Sequence, residues 1–246
     1  MWHKPHLLNA IADLLLLVGG VALATAAALW LVRMPVLPVK QVVFVEALPH
    51  TRVPEVDQAL TESLRGNFFS LNLENVRASL EELPWVRKAD VRRIWPSKLE
   101  VRVEEHKPVA RWGEGRGELV NSYGEIFSAI PSGEELRALP MLFGPEGTAP
   151  DLLKRYAELI EAFATLNERP MELTLSPRLA WQTRLASGMV VALGREQPKS
   201  PVDARLQRFI EVYPEWVGKR AARPAVIDLR YPNGFAVRSA GEQKGK

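Results

Sequence analysis

The sequence predicts an α+β protein: a single N-terminal transmembrane helix, a domain of β-α-α-β-β order, and then a mixed or antiparallel β domain with covering helices. Three observations predict this class. An uncharged run extends from Leu14 to Val32. In a short segment after it, apolar residues recur at every second position in some stretches, as in strands, and about every 3.6 positions in others, as in helices. In the larger remainder, several strand-like segments are separated by glycine and proline turns, and two amphipathic helical patterns lie between them.

The composition excludes some classes of function. The chain has 246 residues, of which 47% are hydrophobic and 25% charged, and can bury a core. It has no cysteine, which rules out thiol catalysis, thiolate metal sites and disulfides but leaves the compartment open. The net charge of +3 comes from Lys and Arg interspersed with Asp and Glu, so we expect no nucleic-acid partner.

The uncharged run is long enough to cross a bilayer, which requires roughly 20 apolar residues in helical form. Asp13 and Arg33 bound it, and Pro35 stops the helix soon after. Two alternatives are a cleavable signal peptide, with small residues at 24–28, and a buried helix of a soluble protein. The run exceeds the roughly 7–15 apolar residues of a signal peptide, and every face is apolar, so we favour the membrane anchor.

The charges around this helix hardly determine its orientation. Basic residues lie on both sides, with Lys4 before the helix and Arg33 and Lys40 after it. We place the N-terminus in the cytoplasm because the short tail holds no domain and a long C-terminal region is translocated whatever its charge.

The first domain is predicted to contain two helices that cover one face of a sheet. Its elements, in order, are a strand at 40–45, a helix from Pro54 to Gly66, a helix capped by Asn72 and ended by Pro84, and strands at 86–94 and 99–104. The turn between the last two strands is predicted to be type I, since Pro96 at its second position fixes φ.

The second domain is predicted to be mostly strands. They fall at 109–112, 118–121, 124–127, 172–175, 180–185 and 189–193, with a loop at 139–147. One helix is capped by Asp151 and another by Ser200, which precedes Pro201 in the first turn. A terminal hairpin joins 225–230 to 235–239 through the turn 231–234.

These patterns divide the chain into five segments. They are a cytoplasmic tail at 1–12, a transmembrane helix at 13–33, a first domain at 38–107, a C-terminal β domain at 108–240, and a flexible tail at 241–246. The last segment is polar, as frayed termini are.

Residues for catalysis do not converge in this sequence. It lacks H-E-x-x-H, G-x-S-x-G and P-loop motifs, and its glycines at 113, 115 and 117 miss the dinucleotide fingerprint. We predict solvated surface positions for the scattered histidines and for two acidic pairs: His3, His6, His50, His106, Glu81-Glu82 and Glu104-Glu105. We therefore predict no enzyme activity, no cofactor, no metal and no small-molecule substrate.

The terminal hairpin can supply a binding surface. If its last strand lies at a sheet edge, the unpaired N–H and C=O groups can accept a strand from a partner. Tyr231 would add an aromatic anchor, and Arg230 a planar cation for a partner carboxylate. The alternative, which is more usual for such residues, is that Tyr231 packs on its own domain and Arg230 faces water.

Several segments resemble the FtsQ/DivIB family of bacterial cell-division proteins. Leu83-Pro84-Trp85-Val86 and Trp95-Pro96, directly after a transmembrane helix, are similar to the POTRA domain of that family. Segments of the second domain are similar to the same family in Gram-negative bacteria, in collinear order: 110–112, 140–147, 206–214 and 226–231.

The resemblance implies a non-catalytic divisome scaffold in the inner membrane at the division site, with its C-terminal region in the periplasm. It implies direct binding of FtsB, within an FtsB–FtsL complex, by β-strand addition to the C-terminal domain. The positions that match the family's binding residues are Arg178, Arg230, Tyr231, Asn233 and Gly234. Two positions depart from the pattern, since serine is common where Asn233 stands and a tryptophan where Ser239 stands.

The POTRA resemblance has two further implications. Such domains bind extended peptides by strand addition, which implies a second docking surface for other divisome proteins. The alternative function is a POTRA-containing component of an outer-membrane assembly or secretion system, which would predict a β-barrel after the domain. No run of barrel strands follows it in this sequence.

Overall fold

The protein forms two compact units, residues 1–105 and 106–246. The structure is a computed structural model, and it describes residues 5–33, 38–64, 66–115, 117–217, 224–231 and 233–239. The predicted flexible tail at 241–246 lies outside the described residues, as does Pro232 of the terminal turn.

The first helix, α1, extends over Pro5–Arg33 and therefore includes residues before Asp13. Its segment Asn9–Trp30, of 22 residues, is long and apolar enough to cross a membrane, and none of it is buried in the protein. A fully exposed apolar helix of this length is what a bilayer would cover.

The predicted β-α-α-β-β order is confirmed in the first domain. The elements are β1 (Gln41–Phe44), α2 (Val53–Ser63), α3 (Leu73–Glu81), β2 (Val86–Ile94) and β3 (Lys98–Glu105). The sheet order is β1-β3-β2, with β1 parallel and β2 antiparallel to the central strand. A parallel pair requires a crossover, which the two helices and β2 provide.

The core of this domain lies between the helices and the sheet. Its buried apolar residues include Val56 and Leu60 of α2, Val76 and Leu80 of α3, and alternate residues of β3: Leu99, Val101 and Val103. The Asn72 carboxamide caps α3 as predicted, because it accepts hydrogen bonds from the Glu74 and Asn75 amides at 2.9 and 3.3 Å. The β2–β3 connection is residues 95–97, and its Trp95-Pro96 peptide is cis, which the type I prediction did not anticipate.

The second domain is the predicted mixed β domain with helices. Its elements are β4 (Pro108–Trp112), β5 (Glu118–Asn121), β6 (Ile126–Ser128), α4 (Gly133–Ala138), β7 (Met141–Phe143), α5 (Ala149–Ala164), β8 (Pro170–Leu175), β9 (Ala180–Leu185), β10 (Val190–Arg195), α6 (Val202–Val217), β11 (Pro224–Asp228) and β12 (Ala236–Ser239). They build a nine-stranded sheet of order β12-β11-β10-β9-β8-β7-β4-β5-β6. Helix α5 packs on β7 and β8, and α6 packs on β10.

The predicted loop at 139–147 is partly wrong, because it contains strand β7. This strand has three residues, of which Leu142 is buried, and it pairs in parallel with β4 and β8 on its two sides. Helix α4, capped by Ser132, precedes it and was not predicted. Proline and glycine flank both elements, and a strand this short depends on partners remote in sequence, so local patterns do not reveal it.

Both predicted helix caps in this domain are wrong. Helix α5 begins earlier, with Thr148 at the N-cap and Asp151 in the first turn. The Ser200 hydroxyl is buried without a hydrogen-bond partner among the described residues. The amide of Val202 donates instead to the Glu196 carboxylate at 3.1 Å. A carboxylate from the preceding segment thus takes the role that the local sequence gave to the serine.

Candidate protein-binding site

Strand β12 forms one edge of the nine-stranded sheet. It pairs with β11 alone among the described strands, in a register that places Ile227 opposite Val237 and Asp228 opposite Ala236. Ala236 and Arg238 are exposed, and Val237 is half-buried. The outer side of β12 therefore carries main-chain N–H and C=O groups that no described strand pairs.

The edge is held in place by the core behind it. Strand β11 pairs in parallel with β10, and Ile227 and Leu229 are buried in the core. At the start of β12, the Phe235 ring meets the buried ring of Phe209 of α6 edge to face, with 5.4 Å between centroids. The strand is thus ordered before any partner arrives, which reduces the entropy cost of binding.

Arg230 is bound to Asp228 at the end of β11. Its Nε donates to the two carboxylate oxygens at 2.8 and 3.0 Å, and its Nη2 donates to Oδ2 at 2.5 Å. These hydrogen bonds hold the pKa of the Asp228 carboxyl below its ordinary value, more strongly than partial burial raises it. Arg230 is therefore an oriented cation with a partner in its own domain.

The Arg230 stem lies across a glycine on the neighbouring strand. Gly194 of β10 has a φ of +79°, and a Cβ built there would lie 2.7 Å from Arg230 Cγ. Only a glycine gives the positive φ without strain and the space for the arginine stem. This contact fixes where the guanidinium is presented.

The turn that follows Arg230 offers an aromatic group to solvent. The side chain of Tyr231 is 54% exposed, Asn233 is exposed, and Gly234 is half-buried. Of the two interpretations of Tyr231, the structure favours the exposed one. We call the described residues Arg230, Tyr231, Asn233 and Gly234 the β11–β12 loop.

Arg178 lies at the same end of the sheet but in a different turn. It is exposed in the β8–β9 turn, and it forms no ion pair with any residue that the structure describes. The strand registers join Leu175 to Trp181 and Trp181 to Gly194, so this turn and the β11–β12 loop lie at one end of the sheet. Strand β10 lies between β9, into which this turn leads, and β11, which precedes the loop.

A cavity of about 500 Å³ opens beside Arg178. Its lining includes Lys154, Arg155, Glu158, Leu179 and Trp181. The Arg155 guanidinium pairs with Glu158 at 3.0 Å and with Asp203, and it lies 5.7 Å from the Trp181 ring centre. Its charge is therefore compensated within the domain, whereas that of Arg178 faces solvent.

Sequence reasoning missed Asp228, Gly194 and Arg155. Asp228 stands two residues before Arg230, and that spacing was the available signal. Nothing in the sequence pairs Gly194 with Arg230 or Arg155 with Asp203, because these partners lie on separate elements.

The polar groups of the first domain also differ from the prediction. The Glu105 carboxylate, whose side chain is 8% exposed, accepts from the Thr51 amide at 2.8 Å and hydroxyl at 2.5 Å and lies 3.1 Å from His50 Nδ1. Burial raises the pKa of Glu105, but hydrogen bonds from Thr51 and His50 outweigh burial and lower it. Glu105 and His50 are therefore not the solvated residues that were predicted.

His106 is not a solvated residue either. Its ring stacks on that of Phe127 with 4.1 Å between centroids, and Nδ1 lies 2.9 Å from the Asn121 amide nitrogen. Among the described residues, no group of three or more histidines and carboxylates is arranged to hold a metal ion. The candidate site thus offers hydrogen-bonding edges, an oriented cation and an aromatic ring, which suit protein recognition.

Two family models match this chain. The model described as "POTRA domain, FtsQ-type" matches residues 37–106, and that described as "Cell division protein FtsQ/DivIB, C-terminal" matches residues 110–230. The two matches together extend across both folded units.

Three curated relatives are similar over nearly their whole lengths, and each is named "Cell division protein FtsQ". The one from Burkholderia pseudomallei is 39% identical over 98% of this chain and 95% of its own. The one from Bordetella pertussis is 37% identical over 96% of this chain and 92% of its own. The one from Nitrosospira multiformis is 35% identical over 97% of this chain and 99% of its own.

Proposed function

Because this chain belongs to the FtsQ/DivIB family of cell division proteins, we propose that it is a non-catalytic scaffold that binds the FtsB–FtsL complex by accepting a strand of FtsB. Family membership gives the chain a role in the divisome, with protein partners and a membrane-anchoring helix. The proposal adds the partner, the binding mode and the residues. The three relatives named above are division proteins by name, which favours this proposal over the outer-membrane assembly alternative.

The observation that carries the proposal is the position of β12. It lies at the edge of the sheet, is ordered by Phe235 on Phe209, and has an outer side that no described strand pairs. A strand of FtsB added there would form main-chain hydrogen bonds along β12 and place alternate side chains on either face of the sheet.

The β11–β12 loop would give this edge its selectivity. Arg230 is oriented by Asp228 and by its contact with Gly194, so it can meet a partner carboxylate with little loss of rotamer entropy. Tyr231 can bury its exposed ring against the added segment. Asn233 and Gly234 supply polar groups and a close backbone approach next to the strand.

Arg178 would extend the same surface. It stands at the same sheet end as the loop, two strands away, and its cation faces solvent. A helical or extended segment of FtsB that continues past the added strand could reach it with an acidic residue. We place residues 108–240 as the domain that binds FtsB, and residues 38–107 as a POTRA domain that docks other divisome proteins.

We further propose a type II orientation in the inner membrane. The N-terminus is cytoplasmic, α1 crosses the bilayer, and both folded domains lie in the periplasm at the division site. Helix α1 is long and apolar enough for this role, and a long region after such a helix is translocated whatever its charge.

The test is capture of FtsB by the full-length protein in detergent or nanodiscs. The double variant Arg230→Ala with Tyr231→Ala should weaken capture at least tenfold, since it removes a charged contact and an aromatic anchor. The thermal melt should stay close to that of the wild type, because both side chains are largely exposed.

A matched control is Tyr123→Ala. Tyr123 is 59% exposed, compared with 54% for Tyr231, but it follows β5 at the other side of the same sheet. This variant should capture FtsB as the wild type does. Equal capture by the double variant and the wild type would refute the assignment of these residues.

A further inference from the structure

The tip of the β2–β3 hairpin presents apolar side chains to solvent. Trp95 is 77% exposed, Phe69 is 50% exposed, and Ile94 is 38% exposed. Arg93 brings Phe69 to this end of the hairpin, because its Nε donates to the Phe68 carbonyl at 2.7 Å. We call these three residues the hairpin-tip patch.

The start of the first domain is bonded to this same tip. The Lys40 amide donates to the Ser97 carbonyl at 2.8 Å, and the register then pairs Gln41 with Lys98. Strand β1 therefore begins at the hairpin tip and runs away from it.

The length of chain before β1 limits how far the tip can lie from the bilayer. Helix α1 ends at Arg33, and seven residue steps separate Arg33 from Lys40. A fully extended chain covers about 3.6 Å per residue, so Lys40 lies within about 25 Å of the end of the helix. The sheet end that carries Trp95 is thus tethered within about 25 Å of the end of α1.

The chemistry of the tip matches the lipid headgroup region. Tryptophan combines a large apolar ring with one N–H donor and prefers the boundary between water and hydrocarbon. Lys40 and Lys98 belong to the same end of the sheet, are exposed, and form no ion pair with residues that the structure describes. Their stems can follow apolar surface while the ammonium groups reach lipid phosphates.

We propose that the hairpin-tip patch docks into the headgroup layer of the bilayer that α1 crosses, with Trp95 as the principal anchor and Lys40 and Lys98 against anionic phosphates. The patch and the FtsB-binding edge belong to different domains. The inference requires α1 to span the membrane, but it does not require FtsB to bind at β12.

The absence of cysteine from the chain gives a direct test. The full-length protein carrying Ser97→Cys is labelled with a nitrobenzoxadiazole fluorophore and reconstituted in vesicles of phosphatidylethanolamine and phosphatidylglycerol. A matched control carries Lys88→Cys, an exposed position in the same strand as Ile94. Six residues at about 3.3 Å each place this control about 20 Å from the tip.

A lipid with a spin label on its headgroup should quench the label at position 97 at least threefold more than the label at position 88. Adding Trp95→Glu to the Ser97→Cys protein should reduce the quenching at position 97 to the control level. Phe69→Ser should reduce it in part. Both exposed side chains can be replaced without opening the core, and an unchanged thermal melt would verify this.

Equal quenching at positions 97 and 88, or quenching at 97 that persists in the Trp95→Glu protein, would overturn the proposal. A patch that instead docks a protein would give the first of these results, because the vesicles hold no partner. The Trp95→Glu protein should still capture FtsB, so a failure here is distinct from a failure of the FtsB assignment.

Discussion

Arg230 and Asp228 together determine what charge the candidate site offers a partner. The pair has no net charge, yet Arg230 is 64% exposed and keeps donors available toward solvent. A partner carboxylate can add to this pair without displacing Asp228, because a guanidinium has five N–H donors. Asp228 therefore acts as the positioning residue for the cation.

The Asp228→Asn variant should test this role through pH. The pKa of Asp228 is lowered in the folded state, so its contribution to stability is fully present above the unfolded-state pKa of about 4. The contribution is lost as the pH falls through the lower, folded-state value. Arg230 is largely exposed, so solvent screening should keep the effect at pH 7 to at most about 1 kcal/mol.

The measurement is the difference in thermal melting between the wild type and Asp228→Asn across a series of pH values. The wild type should be slightly more stable at neutral pH, and the difference should disappear in strong acid. A difference that is the same at every pH would show that the ion pair is not its cause.

The hydrogen-bond partners of individual polar side chains could not be predicted from the sequence when those partners lie far apart in the chain. The predicted capping by Asn72 needs only its own helix, and it is confirmed. His50 and Glu105 are 55 residues apart in the sequence, and their side chains meet at 3.1 Å. A contact between such distant positions exists only in the folded domain, so both residues looked like ordinary surface groups in the sequence.

Strand β12 is the element on which the proposed function depends, and Phe235 is its anchor. Phe235→Ala should remove the edge-to-face contact with Phe209 and lower stability by about 1–3 kcal/mol, less than a fully buried phenylalanine costs. It should also speed hydrogen exchange in β12 and weaken FtsB capture, because the edge would no longer be ordered before binding.

Phe235→Leu is the matched variant, since it keeps most of the apolar volume. It should retain most of the stability and most of the capture. The measurements are thermal melts and amide exchange of residues 236–239. If Phe235→Ala left both the exchange of β12 and FtsB capture unchanged, the anchoring role would be refuted.

The elements that were predicted correctly from the sequence include the long helices and strands with a regular apolar pattern. Helices α2, α3, α5 and α6, and the β2–β3 hairpin, each repeat an apolar pattern over several turns or strand periods. Strand β7 offers three residues between proline and glycine, and its stability comes from β4 and β8, which are distant in the chain. Short central strands of this kind depend on tertiary pairing and leave no local signal.

The protein has one membrane anchor and two domains, and each domain is proposed to contact a different partner. The hairpin-tip patch of the first domain is assigned to lipid, and the β12 edge of the second domain to a protein strand. The resemblance found in the sequence covered both domains, and the family models match both. Arg178 and the β11–β12 loop lie at one end of the sheet, but they are more than 50 positions apart in the sequence. Their shared position could be recognised only from the strand order of the folded domain.

Amide hydrogen exchange of the membrane-reconstituted protein, with and without the FtsB–FtsL complex, tests strand addition most directly. Outward-facing amides among residues 236–239 should exchange more slowly once the complex is bound, because they would donate to the added strand. Strand β6, the opposite edge of the same sheet, is the internal control and should not change. Bound complex with no new protection in β12 would contradict strand addition at this edge.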